Sequence, residues 1–209
     1  MSEFTDGVLF LKSHSPEIES AAKELHKPHL IHEVNQKWGG VFVEELSMTE
    51  PAIRRWLLAT SKQVPLFCFQ HPADMGWGYN LLRDGNEVAS LWVSYDLSWN
   101  MAADLAQTRY PTIRNAHVNL PSDIFSGLLD EVKNSEEYID AINQQYETKN
   151  LAEFAVFDIS PATITELDDV VSSKWYQNDL FEQVEFFKTK LDIKEMSWIS
   201  YRYLLRDRK

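Results

Sequence analysis

The sequence of 209 residues contains a single cysteine, Cys68. One cysteine excludes a disulfide within the chain and a four-cysteine zinc site, and it suits a reducing compartment. The N-terminus is acidic where an export signal is basic, and the apolar run at residues 8–11 is too short for a signal core. The sequence also lacks a run of roughly 20 apolar residues that could cross a membrane. These absences predict a cytoplasmic protein without a membrane partner.

Basic residues are scarce as well. The chain has 20 lysines and arginines against 32 aspartates and glutamates, which gives a net charge of −12. This sign opposes a large phosphate-binding surface, so we expect no nucleic-acid partner. The acidic excess is concentrated in residues 122–172, which contain 12 acidic and 2 basic residues.

Strong catalytic and metal-binding motifs are missing too. The sequence has no Gly-rich phosphate loop, no nucleophile elbow and no zinc-binding His-Glu helix motif. Cys68 and His71 could pair as nucleophile and base, but Cys68 lies in an apolar run that favours an inert thiol. The spacing of His29 and His32 places them on opposite faces of a strand, which disfavours a shared metal. The sequence therefore predicts no catalytic residue, no metal site and no cofactor, and a non-enzymatic protein is favoured over an enzyme.

The first half of the chain has the pattern of a sheet with two helices. Apolar segments near residues 8–11, 30–34, 40–44 and 64–69 predict strands, and helices are predicted from Ser15-Pro16 to about His26 and from Glu50 onward. The resulting order is that of the ferredoxin-like βαββαβ unit. A hairpin over residues 77–83 and 87–95, turning at Asp84-Gly85, extends the predicted antiparallel sheet.

The second half has mostly helical periodicity. Ser122 and Ser135 are predicted to cap two helices, and Ser160-Pro161 begins another. A further helix is predicted near residues 180–191, with two more strands at residues 154–157 and 198–205. We therefore expect an α+β fold, either one domain over residues 1–209 or two docked subdomains, sheet-rich at 1–97 and helix-rich at 98–209.

Glycines beside tryptophans suggest a ligand pocket. If Trp38–Gly40 and Gly76–Tyr79 are loops at the rim of the sheet, they could frame a small molecule, with nearby polar side chains completing the site. In the alternative interpretation, the glycines serve turns and bulges and the tryptophans close the core. The predicted ligand-binding residues are Trp38, Gly39, Glu44, His71, Asp74, Trp77 and Tyr79.

The acidic segment suggests a surface for a basic protein. Its carboxylates fall on the polar faces of the two helices that follow Ser122 and Ser135, where they could steer a basic partner. The alternative is a solvated helix face that aids solubility. The predicted partner-binding residues are Asp123, Asp130, Glu131, Glu136, Glu137, Asp140 and Glu147. The leading expectation is thus a binding protein of the inhibitor, immunity or regulatory type, and the small-molecule binder or enzyme is the alternative.

Overall fold

The computed structural model, which describes residues 4–72, 74–176 and 179–207, contains a six-stranded antiparallel sheet. The strands are β1 (Phe4–Leu11), β2 (His29–Glu33), β3 (Trp38–Val43), β4 (Leu66–Pro72), β5 (Gly76–Arg83) and β6 (Asn86–Ser94). The helices are α1 (Ser15–Ala22), α2 (Pro51–Thr60), α3 (Leu97–Arg109), α4 (Ala116–Asn119), α5 (Ser122–Lys133), α6 (Glu136–Gln144), α7 (Pro161–Val170), α8 (Leu180–Lys190) and α9 (Tyr201–Asp207). The expected α+β class with an antiparallel sheet is confirmed.

The strand order across the sheet is β2-β3-β1-β4-β5-β6. The N-terminal strand β1 is therefore central, and it pairs with β3 on one side and β4 on the other. The predicted hairpin between β5 and β6 is present. At its turn Asp84 and Gly85 both have positive φ angles, 54° and 77°, and this conformation explains why an Asp-Gly pair suits the position.

Alternation along the strands divides the core between the two faces of the sheet. Val8 and Phe10 face α1 and α2, where they pack in one cluster with Ile18 and Leu57. Leu9 points the other way, into a larger aromatic cluster that draws residues from both halves of the chain. A third, smaller cluster joins α3, α4 and α5. Helices thus cover both faces of the sheet.

Two predicted strands in the second half are wrong. Residues 151–157 form a 3₁₀ helix, in which Phe154 and Phe157 lie three positions apart and are both buried in the aromatic cluster. Trp198 has a positive φ of 54°, and the chain then continues as α9. The alternating aromatic residues at positions 198–205 fit the pattern of a strand, but the segment begins a helix, with a hydrogen bond of 3.0 Å from Leu204 N to Ser200 O.

Helix starts follow the sequence in part. Ser135 and Ser160 cap α6 and α7, and their hydroxyls accept backbone hydrogen bonds as predicted. Ser15 and Ser122 do not cap their helices, because each is the first helical residue. In addition, α1 ends at Ala22 and not near residue 26.

No helix among the described residues is long and apolar enough to cross a membrane.

Candidate functional site

A cavity of about 590 Å³ opens at the N-terminal end of β1. Pairing between β1 and β3 begins only at Val8, and the backbone N–H of Asp6 donates instead to Ile199 O at 3.1 Å. The segment before α9 thus lies beside the end of β1, and the cavity forms between β1, the segment after β3 and α9. Its lining residues are Phe4, Asp6, Val43, Glu45, Leu46, Ser47, Ser200, Tyr201, Arg202 and Tyr203.

Asp6 is the buried charged group of this cavity. Its position in β1 gives it the same face as Val8 and Phe10, which are core residues. The residue is only 3% exposed, and no donor among the described residues reaches its Oδ1 atom. Burial raises the Asp6 pKa from 3.8 to about 7, although the positive charge of Arg202 acts in the opposite direction. Near neutral pH this carboxyl group can therefore either take up or release a proton.

An exposed ion pair lies at the rim of the cavity. The Arg202 guanidinium contacts Glu45 Oε1 at 3.1 Å, and the two side chains are 75% and 72% exposed. This pair links α9 to the segment that follows β3. Both partners are well solvated, so the pair contributes little to stability, but it places one positive and one negative charge at the cavity entrance.

Aromatic side chains form much of the remaining wall. Phe4 is 47% exposed at the start of β1, and Tyr201 and Tyr203 are half-buried on α9. The Tyr203 ring packs edge-on against Trp198, with 5.9 Å between ring centroids. A partly apolar concave surface with a few polar groups is the usual character of a small-molecule site.

The sequence-predicted ligand residues lie elsewhere. Trp38, Trp77 and Tyr79 are in strands β3 and β5, not in rim loops, and they are buried in the aromatic cluster. Trp38 Nε1 donates to Leu191 O at 2.9 Å, and the Tyr79 hydroxyl donates to Lys149 O. Since β1 and β4 lie between β3 and β5, the Trp-Gly segments do not frame one open pocket.

The other predicted ligand residues are also dispersed. A Cβ atom on Gly39 would lie 2.6 Å from the Phe10 ring, so this glycine permits close packing. His71 is buried beside Tyr95, whose hydroxyl is 3.2 Å from its Nε2. Glu44 is half-buried, and Asp74 is exposed between β4 and β5. Glu44 adjoins two residues that line the cavity, but it does not line the cavity itself.

The predicted partner-binding residues are all exposed to solvent. The seven carboxylates lie on α5, on α6 and just beyond α6. Glu131 accepts two hydrogen bonds of 2.8 Å from Arg109, and these bonds lower its pKa. The apolar side chains of Ile124 and Ile139 are also exposed on these two helices. The described residues contain no group of three histidine, cysteine or carboxylate side chains arranged to hold a metal.

Sequence reasoning missed the cavity because it began the first strand at Val8. Extending the alternation back to Phe4 places Asp6 on an apolar face, which is unusual for a charged residue. That signal was present in the sequence.

Comparison of the chain with protein-family models, with curated proteins and with solved structures finds no match.

Proposed function

We propose that the protein binds a small organic molecule in the cavity between β1, residues 43–47 and α9. The observation that carries this proposal is the Asp6 carboxylate, which lines the cavity with an oxygen that no described donor reaches. Buried polar atoms are normally hydrogen-bonded, because leaving one without a partner is costly. A ligand that donates to Asp6 while filling the apolar space would remove that cost.

Equilibrium dialysis against an extract of small metabolites tests this function. Ser47→Trp fills the cavity from the half-buried segment after β3, and Thr49→Trp is a matched control because Thr49 is exposed and does not line the cavity. Mass spectrometry of both compartments should show a compound enriched by the wild type and by Thr49→Trp but not by Ser47→Trp. Enrichment by all three proteins, or by none, contradicts the proposal.

A second candidate function is recognition of a basic protein through α5 and α6. It is supported by the exposure of all seven carboxylates together with Ile124 and Ile139 on the same helices. Apolar side chains surrounded by charge provide both contact area and electrostatic steering. The inhibitor, immunity or regulatory role expected from the sequence would use this surface.

Charge reversal tests the second candidate. Replacing Glu136, Glu137 and Asp140 by lysine should abolish capture of a basic partner by the immobilised protein. Reversal of Glu17, Glu19 and Glu24 changes the net charge equally at exposed positions on and just after α1, and it should leave capture unchanged. Equal loss in both triple variants would indicate an effect of net charge and contradict a specific surface on α5 and α6.

We also propose that β1 to β4, with α1 and α2, form a ferredoxin-like unit. The spatial order β2-β3-β1-β4 and the packing of α1 and α2 on one face support this assignment. In this arrangement β5 and β6 extend the sheet beyond β4. An experimental structure with β1 at a sheet edge would contradict it.

A further inference from the structure

The charges that line the cavity differ in how they are satisfied. Arg202 is the cationic side chain among the lining residues, and it is already paired with Glu45 at the exposed rim. Asp6 lies inside and lacks a described donor at Oδ1. The interior of the cavity is therefore suited to a positive charge, whereas an anion would be repelled by the buried Asp6 carboxylate.

The cavity wall also suits a cation with an apolar body. Phe4, Tyr201 and Tyr203 contribute aromatic rings, and ring faces attract ammonium and guanidinium groups. Tyr203 already interacts in this way, since the guanidinium carbon of Arg206 is 5.3 Å from its ring centroid. Val43 and Leu46 add aliphatic surface for the uncharged part of a ligand.

We infer that the ligand is an organic amine, whose ammonium group pairs with the Asp6 carboxylate while its apolar body lies against Phe4, Tyr201 and Tyr203. This inference rests on the proposed function and specifies the chemical class of the ligand. A neutral donor would form a hydrogen bond to Asp6 but would leave the buried negative charge uncompensated. An ammonium group adds the attraction between opposite charges, which is stronger in a partly desolvated cavity than in water.

Three probes of similar shape and different charge test the inference. The probes are 2-phenylethylamine, 2-phenylethanol and 3-phenylpropanoate, titrated calorimetrically at pH 8. We expect the amine to bind the wild type at least about 10-fold more tightly than the alcohol, because only the amine adds an attraction between opposite charges to its hydrogen bond with Asp6. The anionic probe should bind most weakly.

Two asparagine variants identify the group that selects the charge. Asp6→Asn keeps the shape of the side chain and removes its charge, so the preference for the amine over the alcohol should disappear. Asp74→Asn removes an exposed carboxylate outside the cavity, and it should retain the wild-type preference. Circular dichroism of both variants verifies that they are folded before titration.

The pH dependence supplies a second readout. A bound ammonium group holds Asp6 ionised, so affinity for the amine should fall as the pH decreases below about 7, where free Asp6 becomes protonated. The other titratable or charged groups that line the cavity are Glu45 after β3 and Tyr201, Arg202 and Tyr203 of α9. On the neighbouring strand β4, the residue opposite Asp6 is Gln70, which is uncharged. Affinity for the alcohol should not follow this dependence.

The outcomes separate the inference from the proposed function. Equal binding of amine and alcohol, with both lost in Ser47→Trp, overturns the cationic ligand class but leaves a ligand-binding cavity. An amine preference that persists in Asp6→Asn also overturns the inference, as does failure of the wild type to bind the amine. The dialysis experiment decides the proposed function independently of these probes.

Discussion

The Asp6→Asn variant should become more stable relative to the wild type as the pH rises. In the folded protein, burial raises the Asp6 pKa from 3.8 to about 7. The folded state therefore binds this proton more tightly than the unfolded state, and the wild type loses stability as the pH increases from about 4 to about 7. Asparagine does not ionise, so the variant avoids this loss.

The size of the effect follows from the two pKa values. At about 1.4 kcal/mol per pKa unit, ionisation of Asp6 costs the wild type about 4 kcal/mol once the pH is above 7, and about 3 kcal/mol of this arises between pH 5 and pH 8. Asp6 is 3% exposed, so solvent screening does little to reduce this cost. Any fixed cost of burying the asparagine amide is the same at both pH values.

Urea unfolding of both proteins at pH 5 and pH 8 measures the effect. The difference in unfolding free energy between Asp6→Asn and the wild type should increase by about 3 kcal/mol over this interval. Asp74→Asn serves as the control and should show no such increase, because Asp74 is exposed. A difference for Asp6→Asn that stays constant with pH would refute a strongly raised pKa and the buried environment that causes it.

Three further predictions concern the cavity and the core. Arg202→Gln removes the positive charge that lowers the Asp6 pKa, so carboxyl NMR titration should find this pKa above its wild-type value; an unchanged or lower value contradicts this electrostatic influence. Gly39→Ala places a methyl group 2.6 Å from the Phe10 ring and should lower the unfolding free energy by about 1–3 kcal/mol in urea titrations, whereas an unchanged value would mean that the sheet relaxes freely. Burial, with a smaller contribution from Glu87, raises the Cys68 pKa, so a thiol reagent at pH 8 should label the folded protein only as it unfolds; immediate stoichiometric labelling would be inconsistent with this.

Local sequence patterns are sufficient to predict most of the sheet. The alternation in β5 and β6 and the Asp84-Gly85 turn are encoded within a few residues, and the structure confirms the hairpin. The caps at Ser135 and Ser160 are local too. The period-two aromatics of residues 198–205 fit a strand, but the structure has a helix over Tyr201–Asp207. The hydrogen bond from Asp6 N to Ile199 O, which places the preceding segment beside β1, joins residues far apart in sequence.

The candidate site was much harder to predict than the fold. The Trp-Gly segments predict a pocket because bare glycine backbone and an indole ring can frame a ligand, yet Trp38 and Trp77 are buried in the core. The sequence places Asp6 on an otherwise apolar strand face, but its role in the cavity depends on groups that folding brings from residues 43–47 and from α9. A contact between such distant segments leaves no periodicity in the sequence.

The assembly of this cavity from distant segments has a kinetic consequence. Its floor belongs to β1 and its wall to α9, at opposite ends of the described chain. Contacts of such long sequence separation form only after a large loss of chain entropy. A ligand that recognises the completed cavity therefore binds only after α9 has docked, so it should slow unfolding without accelerating refolding.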